Sequence, residues 1–114
     1  MRAAPANRMR VAALLVAASL ALIAATSEAA GATDHTVHID GFAFKPSTLT
    51  VKQGDTVVWH NTDPVPHTVT SKSGGFDSGS IDAGATYRLV AKKKGRFDYI
   101  CTFHPIMKGE LVVE

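Results

Sequence analysis

Short runs of alternating hydrophobic and polar residues, separated by turn residues, fill the chain beyond residue 34. Such alternation predicts β-strands, because successive side chains of a strand point to opposite faces of its sheet. The predicted strands are residues 35–40, 47–51, 55–61, 67–71, 85–91, 96–101 and 110–114. Since this region shows no helical period, the pattern predicts an all-β fold, a small antiparallel sandwich or barrel.

Turn-forming residues mark the boundaries of these strands. Proline and glycine interrupt regular pairing, the first by fixing its backbone and the second by allowing conformations closed to other residues. The breaks fall at Lys45-Pro46, Gln53-Gly54, Asp63-Pro64-Val65-Pro66, Gly74-Gly75, Ala83-Gly84 and Lys94-Gly95. Trp59, Phe97 and Tyr99 lie inside strands, and we expect them in the core rather than beside a cofactor.

The first 29 residues differ from the rest in composition. The first ten contain three arginines and no acid, and residues 11–25 are almost wholly apolar. Small residues follow, with candidate cleavage positions after Ala29 and after Ala32. This arrangement predicts a secretory signal peptide over residues 1–29 and a periplasmic or secreted protein. The alternative is a membrane anchor, but the apolar stretch is shorter than the ~20 residues of a spanning helix, so we expect no stable membrane span.

Removal of that segment leaves residues 30–114, a length that suits one small domain. The whole chain has 12 basic and 10 acidic residues, and the segment takes away three arginines and Glu28. Nine basic and nine acidic residues remain, so the domain is close to neutral. A neutral domain gives no electrostatic argument for binding nucleic acid.

One local basic run interrupts this balance. Lys92, Lys93, Lys94 and Arg96 surround a predicted turn. Such a run is most often a solvated turn. The functional alternative is a docking patch for an acidic partner, because clustered charge steers encounter even when the net charge is zero.

Cys101 is the only cysteine of the chain. Exported domains commonly use cysteines in disulfide pairs, so a single cysteine indicates an intermolecular bridge, a reactive thiol, a metal ligand or a buried apolar residue. His104 and Met107 follow it closely, so a thiolate, an imidazole and a thioether lie within seven residues. Soft sulfur ligands with imidazole favour copper, whereas zinc sites use further cysteines or histidines.

A blue-copper site needs a second histidine, since it combines two histidines and a cysteine in a plane with a distant axial methionine. The remaining histidines are His35, His38, His60 and His67. His67 is the best candidate, because it follows the stiff segment Pro64-Val65-Pro66. His60 has the opposite strand parity from Trp59 and is expected to face solvent. We expect the other two to be surface histidines as well.

These motifs resemble the cupredoxins, and within them the amicyanins. The likeness rests on V-P-H-T-V, on Y-x-C-T-x-H-P-x-M-K-G with its cysteine 34 residues after that histidine, and on a Val-Val-Glu ending. Plastocyanin and pseudoazurin are similar but have longer ligand loops. The resemblance covers residues 37–114 and implies a Greek-key β-sandwich that holds one type 1 copper ion at one end. By position, it makes His67, Cys101, His104 and Met107 the copper ligands.

Two residues depart from the amicyanin pattern. Phe103 stands where that family has proline, and Thr68 where it usually has asparagine. In the family this region braces the ligand loop and donates hydrogen bonds near the thiolate. We expect the backbone N–H of Thr68 to donate to the sulfur of Cys101 and Asn61 to brace the loop.

The resemblance implies single-electron transfer between redox proteins. In amicyanins these are a methylamine dehydrogenase donor and a c-type cytochrome acceptor, and we expect a monomer. His104 would be the electron port. Its apolar neighbours either form an apron for docking or pack ordinarily at the end of the sandwich. They are Phe103, Pro105, Ile106, Val65 and Pro66.

Catalysis is not expected. Four protein ligands leave no open position on the metal for a substrate, and the domain is small for a substrate pocket. The alternative function is a copper carrier, chaperone or copper-resistance protein without redox duty, with His35 or His38 added to the ligands. A structural zinc site is a third possibility, disfavoured by the thioether.

Overall fold

The computed structural model describes residues 2–3 and 31–114. Most of the predicted signal peptide, residues 1–29, lies outside that range. The strands are β1 (Asp34–Ile39), β2 (Phe44–Lys45), β3 (Thr48–Val51), β4 (Thr56–Asn61), β5 (Thr70–Ser71), β6 (Phe76–Asp77), β7 (Thr86–Val90), β8 (Gly95–Cys101) and β9 (His104–Val113). Within the described ranges, no helix has the length and hydrophobicity needed to cross a bilayer.

Two sheets form a sandwich, which is one of the two arrangements that the alternation predicted. One has the order β2-β1-β4-β7 and the other the order β3-β9-β8-β5-β6. Two pairs run parallel, β1 with β4 and β3 with β9, while the remaining pairs are antiparallel. Side-chain alternation reports which face of a strand is buried and not its direction, so the parallel pairs could not be predicted from it.

Two strands differ markedly from their predicted extents, and two short strands were not predicted. β9 begins at His104 rather than at residue 110, because the segment after Cys101 turns back and pairs with β8. β5 is reduced to Thr70–Ser71, since His67 makes only an isolated bridge with Ile81. The two-residue strands β2 and β6 are too short to show alternation.

The core lies between the sheets and is rich in aromatic rings. Trp59 is 0 % exposed, Tyr99 2 % and Phe97 7 %, so the predicted core positions are confirmed. Tyr99 meets Trp59 and Phe44 edge-on, with ring centroids 5.5 and 4.8 Å apart. Edge-to-face pairs of this kind add about 0.5–1.5 kcal/mol each beyond the burial of their area. This aromatic core holds β4 and β8 in place. The loops that contain the candidate ligands follow the ends of these two strands.

The basic run is distant from the cysteine. Lys92–Lys94 connect β7 to β8, whereas Cys101 is the last residue of β8. A seven-residue strand is about 20 Å long, so the basic turn and Cys101 lie at opposite ends of the sandwich. Lys93 also lies over the ring of Phe97, 5.9 Å from its centroid. The basic turn therefore does not border the loops around Cys101.

Candidate metal centre

Three of the four predicted ligands converge at one end of the sandwich. The Sγ of Cys101 lies 3.6 Å from Nδ1 of His67 and 3.9 Å from Nδ1 of His104. The three ligand atoms all lie within 4.8 Å of one another. His67 and Cys101 are fully buried, and His104 is half-buried. One side of the cluster is thus sealed by protein, and His104 alone of the three reaches solvent.

The spacing of these atoms fits a trigonal metal site. Metal–nitrogen bonds of about 2.0–2.1 Å and a metal–sulfur bond of about 2.3 Å, arranged at 120°, place nitrogen and sulfur about 3.8 Å apart. The two sulfur–nitrogen separations here are 3.6 and 3.9 Å. Two imidazoles and one thiolate are also the in-plane donors of a blue-copper centre. The residues present therefore fit copper in both chemistry and spacing.

Met107 lies at the same end of the β8–β9 hairpin. Cys101 pairs with His104, while the preceding residue, Ile100, pairs with Lys108. Pro105, Ile106 and Met107 are the extra residues in this register shift, opposite the end of β8. Met107 is 3 % exposed, whereas Ile106 is 91 % exposed. The irregular hairpin thus turns the thioether inward beside the segment that carries Cys101 and His104.

Thr68 joins the two ligand loops. Its backbone N–H donates to the Sγ of Cys101 at 3.3 Å, which confirms the expected hydrogen bond. Its Oγ1 accepts from the backbone N–H of Thr102 at 2.8 Å and lies 3.1 Å from the hydroxyl of Thr102. The side chain of Thr68 therefore connects the two ligand loops, and the backbone N–H of the same residue donates to the sulfur.

Asp63 orients the first histidine, a role that sequence reasoning missed. Its Oδ2 lies 2.8 Å from Nε2 of His67, and its carboxylate also accepts the N–H groups of Gly41 at 2.7 Å and Phe42 at 2.9 Å. Burial, the largest influence, acts to raise the pKa of Asp63, but the hydrogen bonds from these three donors outweigh it and hold the pKa below its usual value. An ionised carboxylate only accepts, so Nε2 carries the proton and Nδ1 keeps a free lone pair for a metal.

Phe42 covers the cluster from the loop between β1 and β2. It has a positive φ of 58° and presents its ring edge-on to His67 and His104, with centroids 5.2 and 4.9 Å apart. Asp63 holds this backbone by accepting its N–H, so one carboxylate fixes both a histidine and the ring that packs on it. Phe42 carries no sequence signal of this role. For Asp63, the only signal is its place four residues before His67.

Asn61 braces the segment that leads to His67, as expected. Its Nδ2 donates to the carbonyls of Val65 at 2.8 Å and Ile81 at 2.9 Å, and its Oδ1 accepts the N–H of Asp63 at 3.0 Å. Asn61 is fully buried, so these bonds are shielded from water.

The other histidines lie away from this cluster. His35 bonds to Asp55 through Nε2 at 2.8 Å, near the start of β1. His38 and His60 face outward from the first sheet, which confirms the parity argument for His60. The structure thus joins neither His35 nor His38 to the three converging ligands.

Replacing Asp63 with asparagine is expected to weaken copper binding about 10- to 100-fold, the usual effect of losing a partner that orients a metal-ligating histidine. Asparagine has one oxygen where three donors converge, so at least one of them would face an amide N–H. A competition titration against a copper chelator measures the effect. Asp40→Asn is the control, because the side chain of Asp40 makes an exposed ion pair with Lys45 and no contact with His67. Wild-type affinity in Asp63→Asn would show that the orienting bond is dispensable.

Comparisons with known proteins agree with this geometry. The family model of the cupredoxin-like domain matches residues 11–113. The chain is 37 % identical over 117 residues to amicyanin-alpha of Methylorubrum extorquens, covering 90 % of this chain and 98 % of that protein. It is 32 % identical over 83 residues to the amicyanin of Paracoccus versutus, covering 68 % of this chain and 63 % of that protein.

A solved structure agrees as well. A mutant amicyanin in its Cu(I) form superposes with a TM-score of 0.65 at 33 % identity, over 69 % of this chain and 80 % of that one. Fold, family model and relatives all lead to one group of proteins, and the cluster of His67, Cys101 and His104 supplies the donors that its metal requires. The chain belongs to the cupredoxin-like family, is similar to the amicyanins within it, and has copper as its cofactor.

Proposed function

We propose that this protein is a one-electron carrier that works outside the cytoplasm. The observation that carries the proposal is the buried cluster of one thiolate and two imidazoles, held by hydrogen bonds from the chain itself. A bound copper ion supplies the one-electron Cu(II)/Cu(I) couple there. His67, Cys101, His104 and Met107 would hold the metal.

The protein's part is to keep these side chains in one arrangement. Thr68 donates to the sulfur, and Asp63 holds His67 in a single tautomer. Both loops leave strands whose inward faces pack in the aromatic core. Ligands held in this way before any change of oxidation state need little rearrangement afterwards, which suits rapid electron transfer. A carrier that hands over its metal would instead need ligands that open easily.

His104 is the natural port for electrons. It is the half-buried member of the cluster, and it follows Phe103 in the chain. Exposed apolar side chains lie on the loops around it, with Phe42 49 %, Phe103 53 % and Ile106 91 % exposed. Phe42 contacts the ring of His104 directly. A small exposed apolar patch marks a site of protein contact, and small interfaces are weak and dissociate quickly, as redox encounters require.

The partners we propose are redox proteins that dock on this apolar surface. By analogy with amicyanins, a dehydrogenase would donate the electron and a c-type cytochrome would accept it. The predicted signal peptide supports a periplasmic or secreted location for the domain of residues 30–114. The basic turn at the far end of the sandwich would not take part in this contact.

Visible and EPR spectra of the purified protein loaded with Cu(II) test the proposal, followed by a redox titration in the presence of a Cu(I) chelator. We expect an intense blue absorption, a narrow copper hyperfine splitting and reversible cycling without loss of metal. A pale, ordinary Cu(II) spectrum would mean that Cys101 does not bind as proposed. A blue protein that surrendered copper to the chelator at each reduction would be a carrier instead.

The role of Met107 leads to a separate expectation. Met107→Leu should retain the blue absorption and raise the reduction potential, because loss of a weak axial donor destabilises Cu(II) more than Cu(I). The two side chains have similar volumes, so the core should lose less than about 1.5 kcal/mol. Ile106→Leu is the matched control, since its side chain is exposed. Protein-film voltammetry measures both, and an unchanged potential in Met107→Leu would remove Met107 from the ligand set.

A further inference from the structure

A second pair of imidazoles lies on the outer face of the sheet β2-β1-β4-β7. His38 of β1 and His60 of β4 are direct partners in the parallel register. Their ring centroids are 6.1 Å apart, with 55° between the ring planes. Neighbouring strands are about 4.8 Å apart, so the two side chains leave the sheet side by side.

Both rings are available to a ligand. His38 is exposed and His60 half-buried, and among residues 31–114 neither ring has a hydrogen-bond partner. His35 and His67, by contrast, each bond to a carboxylate. His38 and His60 are therefore the two imidazoles of the described domain that neither join the copper cluster nor bond to a carboxylate.

The backbones beneath the pair are rigid. Val37 and Ile39 flank His38, Trp59 and Asn61 flank His60, and all four are fully buried. The two histidines thus stand on paired strands that the core holds in place. A ligand that bridges them would not have to order a loop, which lowers the entropic cost of binding.

Nearby cations are compensated. Lys45 is the register partner of His38, but its Nζ lies 3.5 Å from the carboxylate of Asp40. Arg88, on the adjacent strand β7, donates to Asp34 at 3.0 Å. Because each of these cations lies beside an acidic residue, its repulsion of an approaching metal ion is largely offset.

We propose that His38 and His60 together bind one divalent first-row transition-metal ion, with Cu(II) preferred and water completing the coordination. Imidazole suits copper, nickel and zinc, and Cu(II) stands highest in the general affinity order. Metal–nitrogen bonds of about 2.0–2.1 Å place each ring centroid about 3.2 Å from the ion, so bridged centroids can be up to about 6.4 Å apart. The observed 6.1 Å lies within that reach. Because this pair lacks sulfur, it favours Cu(II) over Cu(I), unlike the cluster around Cys101.

The experiment uses the purified protein with the first site already filled by one equivalent of Cu(II). A second equivalent of Cu(II) is then titrated, with calorimetry for affinity and EPR for the coordinating atoms. We expect a second, ordinary Cu(II) signal with nitrogen couplings, while the blue absorption stays unchanged. His38→Gln and His60→Gln should each lower the second affinity at least about tenfold, since losing a ligand costs no less than losing a partner that orients one.

His35→Gln is the matched control, because it removes a histidine from the same strand but from its other face and far end. It should leave the second affinity unchanged. Equal binding by wild type, His38→Gln and His60→Gln would overturn the proposal, as would a loss of binding in His35→Gln. Absence of a second bound equivalent in the wild type would also overturn it. None of these results alters the spectrum of the first site, so this proposal and the electron-carrier proposal fail separately.

Discussion

Replacement of Cys101 by serine is expected to abolish the blue absorption completely and to leave the fold intact. The colour of a blue-copper site comes from its thiolate, and a serine oxygen is a hard, protonated group that is a poor substitute. The sulfur is fully buried, but most of the aromatic core lies elsewhere. A serine Oγ can still accept the N–H of Thr68, so no donor is stranded.

Visible absorption and EPR after loading with Cu(II) measure the loss, and thermal unfolding of the metal-free protein measures the fold. Thr102→Ser is the matched control, since it changes the next residue and keeps a hydroxyl beside Thr68. It should remain blue. A blue Cys101→Ser protein would refute thiolate coordination, and failure of the metal-free variant to fold would show that the cysteine is chiefly a core residue.

The ligand cluster could be predicted in outline because its parts are local in sequence. Cys101 and His104 are close neighbours on one hairpin, so their approach needs only the turn between β8 and β9. His67 could be distinguished from the other histidines because it follows the stiff segment Pro64-Val65-Pro66 and because strand parity directs His60 towards solvent. The three meet as predicted, within 4.8 Å. The thioether of Met107 stays a prediction that its burial supports.

Two of the supporting residues, Asp63 and Phe42, were not predictable, because their positions depend on the direction of strand pairing. β1 and β4 run parallel, with Ile39 opposite Asn61, so the loops that follow them leave the sheet side by side. Phe42 lies on the first of these loops and Asp63 on the second. In an antiparallel pair the same loops would leave at opposite ends, and Asp63 could not accept the N–H of Phe42. The alternation of side chains carries no information on this choice.

The extent of the strands was also only partly predictable. Runs such as residues 55–61 alternate because one face of the strand packs on the core. In the structure, β4 covers nearly all of this run. The segment from His104 to Met107 shows no alternation, because its burial is set by the register shift opposite Ile100. The functional end of the sandwich is therefore where the pattern is least informative and where the structure adds most.

Replacement of Asn61 by alanine should give the largest loss of stability among single changes near the site, about 3–5 kcal/mol. The amide satisfies two carbonyls and one N–H in a fully buried position. Alanine removes all three bonds. The carbonyl of Ile81 keeps the N–H of His67 at 3.1 Å. The carbonyl of Val65 and the N–H of Asp63, however, lose the partner that Asn61 provides, and a buried polar group left without a partner costs about 1–3 kcal/mol. Two of the three groups lie in the segment between β4 and His67, and the third belongs to Ile81, which pairs with His67.

Denaturant unfolding of the metal-free protein measures this loss. Thr62→Ala is the matched control, because the adjacent threonine is exposed and its hydroxyl donates a single bond to the carbonyl of Ile39 at 3.0 Å. One hydrogen bond contributes about 0.5–1.5 kcal/mol, so the control should lose no more than that. Similar losses in the two variants would show that water or a shifted loop satisfies the groups that Asn61 leaves behind.

The Asn61→Ala variant also separates the effect of Asn61 on the stability of the fold from its effect on copper binding. Bound copper stabilises the folded state by an amount that grows with the logarithm of its affinity, so a tenfold weaker site yields about 1.4 kcal/mol less stabilisation. If Asn61 acts on the loop that positions Asp63 and His67, copper should stabilise Asn61→Ala by less than it stabilises the wild type. An equal increment would mean that Asn61 supports the sandwich alone, and that His67 keeps its place through Asp63 and the packing of Phe42.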